Sequence, residues 1–541
     1  MNFVERIFDH LEQLPSRATL IEVHGERLVP FDGKALLGDI AKVRGFLHTR
    51  GVKPGDRVAL LAPNSARWVC ADLGVIASGA ITVPLYDKQA PAELAIMMRS
   101  AEPVLSIAAT DTLRDSLAAA WPEHGTLATF DEVFASEPIT APLHPIEASD
   151  PVAIIYTSGT SGLPKGVVLS RANIDFMIPQ TIARLALVPG GSGGDRVFHF
   201  LPFCFAASRM MMWTQLSRPN PLMISTDLTN LVEEMDTAKP EYFLNVPAVL
   251  ERIRAGVGNK VRERGGIAAS LYARGVRAEF DGAAAGVMDR LALALAKRVV
   301  FPRIKTSIGP NLRFLISGSA PLAEETQRWF GMLGIPVYQA YGLTETTGIV
   351  SLDLPDRTVP GRVGVALDGV TTKITGDGEL CVQGDNIFPG YWNLKDETDK
   401  VLRDGWFHTG DQVEMDDGNL KIVGRIKHLI IPESGHNIAP EPLEERFLSA
   451  CPSVTQCMVV GHARAFVAVL VVGAPDVAAV DAAIEAVNAP LPSYRKIRKA
   501  IHVSEPFTPE NGLLTANQKL RRAAIEKHFA AAIDAGYAAR S

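Results

Sequence analysis

Runs of consecutive apolar residues alternate with helically spaced apolar residues over the first 150 positions of the chain. Residues 57–61 and 80–85 are short and apolar, which predicts two buried strands. Residues 66–78 lie between them and carry apolar side chains at helical spacing, which predicts a helix. This alternation favours βαβ units and a mostly parallel sheet.

The middle of the chain carries a different pattern. Residues 196–201 and 313–317 predict two further short strands, whereas residues 248–305 are rich in Ala, Arg and Leu and predict helices. From residues 376–382 onward the pattern changes to short strands and turns.

These patterns predict an α/β protein with two domains. A large N-terminal domain with mostly parallel sheets and a β-rich subdomain is expected over residues 1–423. A small α+β domain is expected over residues 429–541, with residues 424–428 as the connection. The length of 541 residues agrees with this division, because one ordinary core does not grow to that size.

Composition and charge exclude several classes of protein. Apolar residues make up 47% of the chain and the net charge is −6, so no nucleic-acid-binding footprint is evident. One basic cluster at residues 495–499 could meet a nucleotide or a membrane surface, although a solvated face explains it as well.

Cysteine usage and hydropathy predict the compartment. The five cysteines are odd in number and show no Cys-x-x-Cys pair, which fits a reducing compartment. Cys451 and Cys457 are close in sequence but lack a His/Cys pair at zinc spacing. No run of about 18 apolar residues predicts a transmembrane helix, and residues 1–13 lack a signal-peptide pattern. We therefore expect a cytoplasmic protein.

The richest candidate chemistry lies at residues 156–166, directly after an apolar, β-branched strand signal. The loop offers hydroxyls, backbone N–H groups and one cation, all of which suit a polyphosphate. The candidate phosphate-binding residues are Thr157, Ser158, Gly159, Thr160, Ser161 and Lys165. Pro164 precedes the lysine and Gly166 follows it, so this is not the Walker loop. Taken alone, the loop could equally be a flexible connector.

This segment closely resembles the phosphate loop of the adenylate-forming enzymes, the superfamily of acyl-CoA synthetases, peptide-synthetase adenylation domains and luciferases. Five further motifs resemble those of the family and follow its order along the chain. They are Tyr-Gly-Leu-Thr-Glu-Thr at 341–346, Asp-Gly-Trp-Phe-His-Thr-Gly-Asp at 404–411, Gly-Arg-Ile-Lys at 424–427, Asn-Ile-Ala-Pro-Glu at 437–441 and Leu-Thr-Ala-Asn-Gln-Lys at 514–519. Residues 248–305 resemble the helical region of the long-chain fatty acyl-CoA synthetases, or are a generic helical insertion.

The resemblance implies a nucleotide site. Tyr341 would stack on adenine, and Thr344 would hydrogen-bond the α-phosphate. Asp411 would accept hydrogen bonds from the ribose hydroxyls, and Arg425 would bind ribose or phosphate. The other implied nucleotide-binding residues are Gly318, Ser319, Ala320, Gln339, Ala340 and Gly342. Read without the motifs, Tyr341 could be core packing, Asp411 a turn residue and Arg425 a surface cation.

The resemblance also implies the catalytic groups. Glu345 is the candidate Mg²⁺ ligand, because a hard carboxylate suits magnesium near phosphates; otherwise it is an acid in a first helical turn. Lys519 would bridge the carboxylate of the acid and the phosphate during adenylation, although a lysine near a C-terminus is ordinarily solvated. Catalytic roles are therefore predicted for Lys519, Thr344 and Glu345, and Lys427 is the predicted hinge of a mobile small domain.

The sequence departs from the family pattern at three places: the acyl side of the site, the hinge, and the segment before Lys519. Phe205 stands where the family usually has histidine, on the acyl side of the site, so the substrate pocket is expected to differ there. His428 stands where the hinge usually carries an acid. Ala516 and Asn517 stand where relatives commonly have Pro-Thr, next to Lys519.

The predicted function is ATP-dependent activation of a medium- or long-chain fatty acid to acyl-AMP, followed by transfer to coenzyme A. The predicted cofactor is Mg²⁺, with ATP and coenzyme A as co-substrates. Two alternatives stay open: transfer of the acyl group to a carrier protein or another acceptor, and a non-catalytic nucleotide-binding protein. The sequence leaves the acid and the oligomeric state undetermined.

Overall fold

The computed structural model describes residues 1–123, 125–158, 164–188, 194–473, 476–515 and 519–538. The chain divides into two compact units. Unit 1 comprises residues 1–320, 324–372 and 382–407, and unit 2 comprises residues 321–323, 373–381 and 408–541. The predicted domain bounds at residues 424–428 stay a prediction.

The helices have the following bounds. They are α1 Phe3–Gln13, α2 Gly33–Thr49, α3 Ala66–Ala77, α4 Pro91–Ala101, α5 Asp111–Ala120, α6 Phe130–Phe134, α7 Arg171–Leu187, α8 Ala206–Leu216, α9 Leu231–Ala238, α10 Pro247–Arg264, α11 Gly266–Asp281, α12 Val287–Val299, α13 Phe301–Ile308, α14 Glu324–Met332, α15 Lys395–Val401, α16 Glu441–Ala450, α17 Val477–Asn488, α18 Arg522–His528 and α19 Ala530–Ala538. Short 3₁₀ turns occur at Leu228–Asn230, Gly282–Ala284, Thr344–Thr346, Ile426–His428 and Ser493–Arg495.

The strands have the following bounds. They are β1 Ala18–His24, β2 Arg27–Asp32, β3 Arg57–Leu61, β4 Ile81–Leu85, β5 Leu105–Ala108, β6 Thr126–Thr129, β7 Pro151–Ser158, β8 Pro164–Ser170, β9 Val197–His199, β10 Leu222–Ser225, β11 Tyr242–Asn245, β12 Leu315–Ser317, β13 Val337–Tyr341, β14 Ser351–Leu352, β15 Val365–Ala366, β16 Thr371–Ile374, β17 Glu379–Gln383, β18 Leu402–Arg403, β19 Trp406–Asp416, β20 Asn419–Arg425, β21 Cys457–Val460, β22 Val467–Val472 and β23 Ile497–Val503.

Unit 1 contains two largely parallel sheets. The first has the strand order β6-β5-β3-β4-β7-β8, with every neighbouring pair parallel except β7 and β8. Helix α3, which connects β3 to β4, is buried at every residue except Arg67, and its apolar side chains face neighbours on all sides. The side chain of Ser65 caps this helix by accepting a hydrogen bond from the Trp68 amide.

The second sheet of unit 1 has the order β15-β14-β13-β12-β11-β9-β10-β1-β2. Its central pairs, from β13 to β1, are parallel, and the pairs at its two ends are antiparallel. The turns that follow β12 and β13 carry predicted nucleotide residues. Carboxyl ends of parallel strands are the usual place for ligand sites in α/β folds.

Strands β16, β17, β19 and β20, whose residues belong mainly to unit 2, lie side by side in that order. A separate sheet, β21-β22-β23, packs against α16 and α17 through a core that includes Phe447, Val469 and Val480. The fold class is therefore as predicted, with mostly parallel sheets in the large unit and a smaller α+β region at the C-terminal end. The helical prediction for residues 248–305 is also confirmed, by α10 to α13.

Candidate active site

The base of the predicted phosphate loop is a strand pair. Thr157 lies opposite Lys165 and Ser158 opposite Pro164, where β7 and β8 run antiparallel. A Cβ on Gly166 would lie 2.7 Å from Cγ2 of Ile154, so only glycine fits there without displacement. Three loop residues of the predicted set lie outside the described residues, namely Gly159, Thr160 and Ser161.

Lys165 is held by two groups of unit 1. Its ammonium forms an ion pair with Glu397 on α15, and it lies 5.2 Å from the ring centroid of Tyr391. The Lys165 side chain is 13% exposed. Hydrogen bonds from Lys165 and then from Lys400 lower the pKa of Glu397 to about 2, so this carboxylate stays charged at neutral pH.

Tyr391 also contacts the candidate magnesium ligand. Its hydroxyl donates a hydrogen bond to Oε1 of Glu345 at 2.9 Å. The backbone of Glu345 is fixed in the same place, because its carbonyl accepts the Phe388 amide at 2.9 Å. One tyrosine therefore joins Lys165 and Glu345, which are separated by 180 positions in the sequence.

The turn that carries Thr344 and Glu345 closes very tightly. A Cβ on Gly342 would lie 2.3 Å from the carbonyl oxygen of Gly348, so a side chain at position 342 would open the turn. Glu345 lies in the first turn of a 3₁₀ helix, as the alternative interpretation held, and it also faces Tyr391. Tyr341 ends β13 and is partly exposed, as is Thr344.

The turn after β12 lies beside β13. Gly318 is buried, and a Cβ there would lie 3.0 Å from the carbonyl oxygen of Ala340. Ser319 and Ala320 follow it and are exposed, with Ser319 in the left-handed region at φ +71°. Neighbouring strands therefore bring these four predicted residues together.

Gln339 has a different environment from its neighbours. Its side chain is buried and donates to Oε1 of Gln327 at 2.8 Å, and its backbone N–H donates to Oδ2 of Asp353 at 2.8 Å. Burial raises the pKa of Asp353 to about 7. These contacts indicate a structural role for the Gln339 side chain.

Phe205 lies immediately before α8. Its ring is partly exposed and lies 5.8 Å from that of Tyr86. The turn with Glu345 reaches the same place, because a Cβ on Gly348 would lie 3.2 Å from Cα of Ala207. The sequence prediction that Phe205 lines an acyl pocket stays a prediction, and what the structure shows is that the start of α8 lies against Gly348.

Helix α8 is anchored from its buried side. Arg209 and Asp72 form an ion pair in which both side chains are fully buried, and Trp213 donates to Oδ2 of Asp72 at 3.1 Å. Removing one partner of such a pair leaves an uncompensated buried charge. The start of α8 next to Phe205 is therefore rigidly placed.

In unit 2, Asp411 and Arg425 lie opposite each other on β19 and β20. The guanidinium Nε of Arg425 lies 2.9 Å from Oδ1 of Asp411, which is buried. Asp411 is thus a strand residue rather than the turn residue of the alternative interpretation. Thr409 supports it by accepting the Asp411 amide at 3.1 Å and donating to the Leu380 carbonyl at 2.8 Å.

Glu379 organises the segment before Asp411. Its two oxygens accept hydrogen bonds from Nδ1 of His408 at 2.8 Å and from the Gly410 amide at 2.9 Å. The thiol of Cys381 lies 3.3 Å from the same His408 nitrogen. These contacts hold the His408–Asp411 backbone in place.

The predicted hinge lies in a 3₁₀ turn, Ile426–His428, in which Lys427 is exposed. His428 lies 2.7 Å from Oε1 of Glu441 through its Nδ1. Burial raises the pKa of Glu441, but the hydrogen bond from His428 and the charge of Arg522 outweigh it and lower that pKa below its ordinary value. The unusual histidine is therefore matched by a carboxylate of unit 2.

Lys519 is exposed and its backbone is fixed. Its amide donates to Oγ1 of Thr515 at 3.1 Å, and its carbonyl accepts the Thr515 amide at 2.8 Å. The departures at Ala516 and Asn517 lie outside the described residues.

Sequence reasoning missed Tyr391 and Glu397. Both follow the turn signal Pro389-Gly390, and an aromatic pair directly after such a turn was the one available indication. Nothing in the local pattern connects this segment to Lys165, because the contact arises from pairing of residues 390–392 with β8.

Comparison with known proteins agrees with the motifs. A family model described as AMP-binding enzyme matches residues 34–392, and one described as AMP-binding enzyme C-terminal domain matches residues 427–541. The long-chain-fatty-acid–CoA ligase FadD15 of Mycobacterium tuberculosis is 30% identical, with 91% of this chain and 89% of the relative covered. Long chain acyl-CoA synthetase 2 of Arabidopsis thaliana is 26% identical, with 92% and 85% covered.

Solved structures share the fold. The A domain of carboxylic acid reductase from Segniliparus rugosus, in complex with AMP and a co-purified carboxylic acid, has a TM-score of 0.79 at 20% identity, covering 99% of this chain and 94% of that one. The Mycobacterium tuberculosis fatty acyl CoA synthetase has a TM-score of 0.67 at 22% identity, covering 98% of each chain. At these identities the likeness shows the fold alone. The first family model spans well over half of the sequence, so this chain belongs to the AMP-binding enzyme family.

Proposed function

We propose that this protein activates a fatty acid with ATP and transfers the acyl group to coenzyme A, releasing AMP and pyrophosphate. One observation carries the proposal beyond family membership. Tyr391 joins the phosphate-loop cation Lys165 to the candidate metal ligand Glu345. A polyphosphate with its counter-ion needs a cation and a hard carboxylate close together, and this cluster supplies both.

The first half-reaction joins two anions. An oxygen of the fatty acid carboxylate attacks the α-phosphorus of ATP, and the bond to pyrophosphate breaks. Lys165 neutralises charge on the leaving phosphates, and Thr344 donates a hydrogen bond to the α-phosphate. Lys519 neutralises the attacking carboxylate and the phosphate together. These contacts lower the barrier because they are strongest where charge accumulates in the transition state.

The residues present fit a magnesium ion. Glu345 offers a carboxylate whose position is fixed by Tyr391 and by the Phe388 amide. Magnesium usually keeps several waters and takes one or two protein carboxylates beside substrate phosphates, so a single glutamate is sufficient. When bound, the ion would neutralise phosphate charge; the residues around it position the nucleotide.

In the second half-reaction the thiol of coenzyme A attacks the acyl carbon of the acyl-adenylate. The mixed anhydride bond breaks, AMP leaves, and the thiol proton passes to solvent. We propose that the two half-reactions use different positions of the small domain, with Lys427 as the pivot. Its exposure and its short 3₁₀ turn suit a residue that changes its backbone angles.

The relatives support the choice of acid and acceptor. FadD15 and the Arabidopsis protein carry names of long-chain fatty acid–CoA ligases, and the alignment covers most of both. We place the acyl chain beside Phe205, whose partly exposed ring lies 5.8 Å from that of Tyr86. A cytoplasmic location belongs to the same proposal.

The decisive experiment measures pyrophosphate release with a panel of acids from C4 to C18, with and without coenzyme A. Pyrophosphate release that depends on a fatty acid, with a thioester formed when coenzyme A is present, supports the proposal. Pyrophosphate release without any thioester would support a different acceptor, and ATP binding without pyrophosphate release would support a non-catalytic protein. Phe205→Ala should shift the preferred chain length in the same assay; an unchanged acid profile removes Phe205 from the pocket.

A further inference from the structure

Helix α12, Val287–Val299, turns its large apolar side chains towards solvent. Five of them are between 40% and 74% exposed, namely Val287, Met288, Leu291, Leu295 and Val299. At about 100° per residue they occupy an arc of roughly 120° on one side of the helix. They form a continuous exposed stripe, which we call the α12 stripe.

The inward face of the same helix is made of small residues. Ala292 and Ala296 are buried, and a Cβ on Gly275 of α11 would lie 3.0 Å from Cβ of Ala296. An ordinary surface helix buries its large apolar residues and exposes polar ones. Here α12 packs through Ala292 and Ala296, with Leu293 partly buried beside them, and the five residues of the stripe lie outside the buried core.

Basic residues flank the stripe. Arg290 and Lys297 are exposed on the adjoining side of α12, and Arg298 is exposed within the arc of the stripe. Lys297 pairs with Glu279 at 2.9 Å, and the Arg290 guanidinium donates to the Ala283 carbonyl at 2.5 Å.

The whole helical segment that contains α12, residues 247–308, is also positively charged. Residues 247–308 contain twelve Lys/Arg and five Asp/Glu, so the segment has a net charge of +7 in a chain of net −6. Positive charge concentrated beside exposed apolar side chains is the pattern of a helix that lies in a membrane interface.

We propose that the α12 stripe docks the protein on the surface of an anionic lipid bilayer. The apolar side chains would enter the boundary between headgroups and acyl chains, while the flanking cations meet anionic headgroups. A second copy of this chain fits less well, because two segments of net +7 would repel each other. Within the described residues, no helix is both long and apolar enough to cross a bilayer, so the contact is peripheral.

The test is co-sedimentation of the full chain with phosphatidylglycerol vesicles and with phosphatidylcholine vesicles. Wild type should bind phosphatidylglycerol vesicles, and increasing salt should weaken that binding. Leu291→Gln with Leu295→Gln should reduce it about ten-fold or more. Arg290→Gln with Arg298→Gln should cause a comparable loss and reduce the salt dependence.

Two exposed positions outside the segment provide matched controls. Val232 on α9 is 84% exposed, and Lys34 on α2 is also exposed. Val232→Gln and Lys34→Gln should bind vesicles as wild type does. Circular dichroism spectra identical to wild type show that each variant is folded, as expected for exposed positions.

Three results would overturn the proposal. One is equal binding of wild type to both kinds of vesicle, and another is an unchanged affinity for the Leu291/Leu295 variant. The third is a concentration-dependent dimer in light scattering that this variant abolishes, which would assign the stripe to a second copy. None of these measurements depends on turnover, so the proposed activity and the docking surface fail or succeed separately.

Discussion

The two lysines assigned to phosphate chemistry lie in contrasting surroundings. Lys165 of unit 1 is 13% exposed, forms an ion pair with Glu397 and lies over the Tyr391 ring. Lys519 of unit 2 is exposed, and its backbone N–H and carbonyl form hydrogen bonds with Thr515. The first cation is held ready beside the candidate metal ligand, whereas the second stands at the surface of its unit.

This difference suggests a division of labour. A side chain that is already positioned loses little conformational entropy when ATP arrives, so Lys165 suits a resident phosphate-binding role. An exposed lysine can enter and leave a reaction site with its unit, which suits a role in only one of two half-reactions.

Among the variants, Lys519→Ala is expected to reduce the rate of acyl-adenylate formation most. Removing a group that stabilises transition-state charge in a closed site commonly slows the reaction about 10²- to 10³-fold, so acyl-adenylate formation should fall by that factor. The same variant, given ready-made acyl-adenylate and coenzyme A, should form thioester at nearly the wild-type rate. Single-turnover assays of each half-reaction measure both.

Lys427→Pro gives the complementary result, because proline restricts the backbone of the pivot. It should impair thioester formation more than adenylation. If Lys519→Ala slows both half-reactions equally, the division of labour is wrong for this protein; if it slows neither, Lys519 is not a catalytic residue.

A smaller loss of adenylation rate is expected from Lys165→Ala. Removing a charge that stabilises the departing pyrophosphate should slow adenylation about ten- to a hundred-fold and raise the KM for ATP. Lys400→Ala is the matched control, since Lys400 contacts the same Glu397 but is 67% exposed. The control should retain nearly full activity, and equal losses in the two variants would indicate that the effect comes from Glu397.

Tyr391→Phe sharpens the comparison within unit 1. Phenylalanine keeps the ring beneath Lys165 but removes the hydroxyl that orients Glu345. We expect a rise of about ten-fold in the Mg²⁺ concentration needed for half-maximal rate, because a hydrogen bond to a charged group contributes about 1.5–3 kcal/mol. Tyr391→Leu should lose more, and an unchanged magnesium dependence in Tyr391→Phe would separate Tyr391 from the metal.

The smallest effect concerns stability rather than rate. Burial raises the pKa of Asp353 from 3.8 to about 7, so the folded protein binds a proton that the unfolded chain releases between these values. The free energy of unfolding should therefore fall as pH rises from about 4 to about 7 and then level off. Asp353→Asn should remove this part of the pH dependence in urea denaturation. A slope identical to wild type would show that Asp353 titrates normally.

The sequence predicted the fold class because local patterns decide it. Residues 57–61 form β3 as expected, and the helix at 66–78 begins at the predicted residue because Ser65 caps it. The motifs likewise indicated Lys165, Glu345 and Asp411. What the sequence could not indicate are contacts between distant segments, such as Tyr391 against Lys165 or Glu379 against Gly410. Those depend on strand pairing that spans tens to hundreds of residues.

The position of β1 beside β10 has a consequence for synthesis of the protein. Leu20 pairs with Leu222, and the ring of Phe3 lies 5.1 Å from that of Trp213, so the N-terminal elements bind partners translated about 200 residues later. At roughly 5–20 residues per second, the ribosome needs about 10–40 s to make those partners. During that interval one edge of the β1–β2 hairpin and the part of α1 that contacts α8 are without their native partners. The nascent chain is therefore most exposed to aggregation, and most in need of a chaperone, before residue 225 emerges.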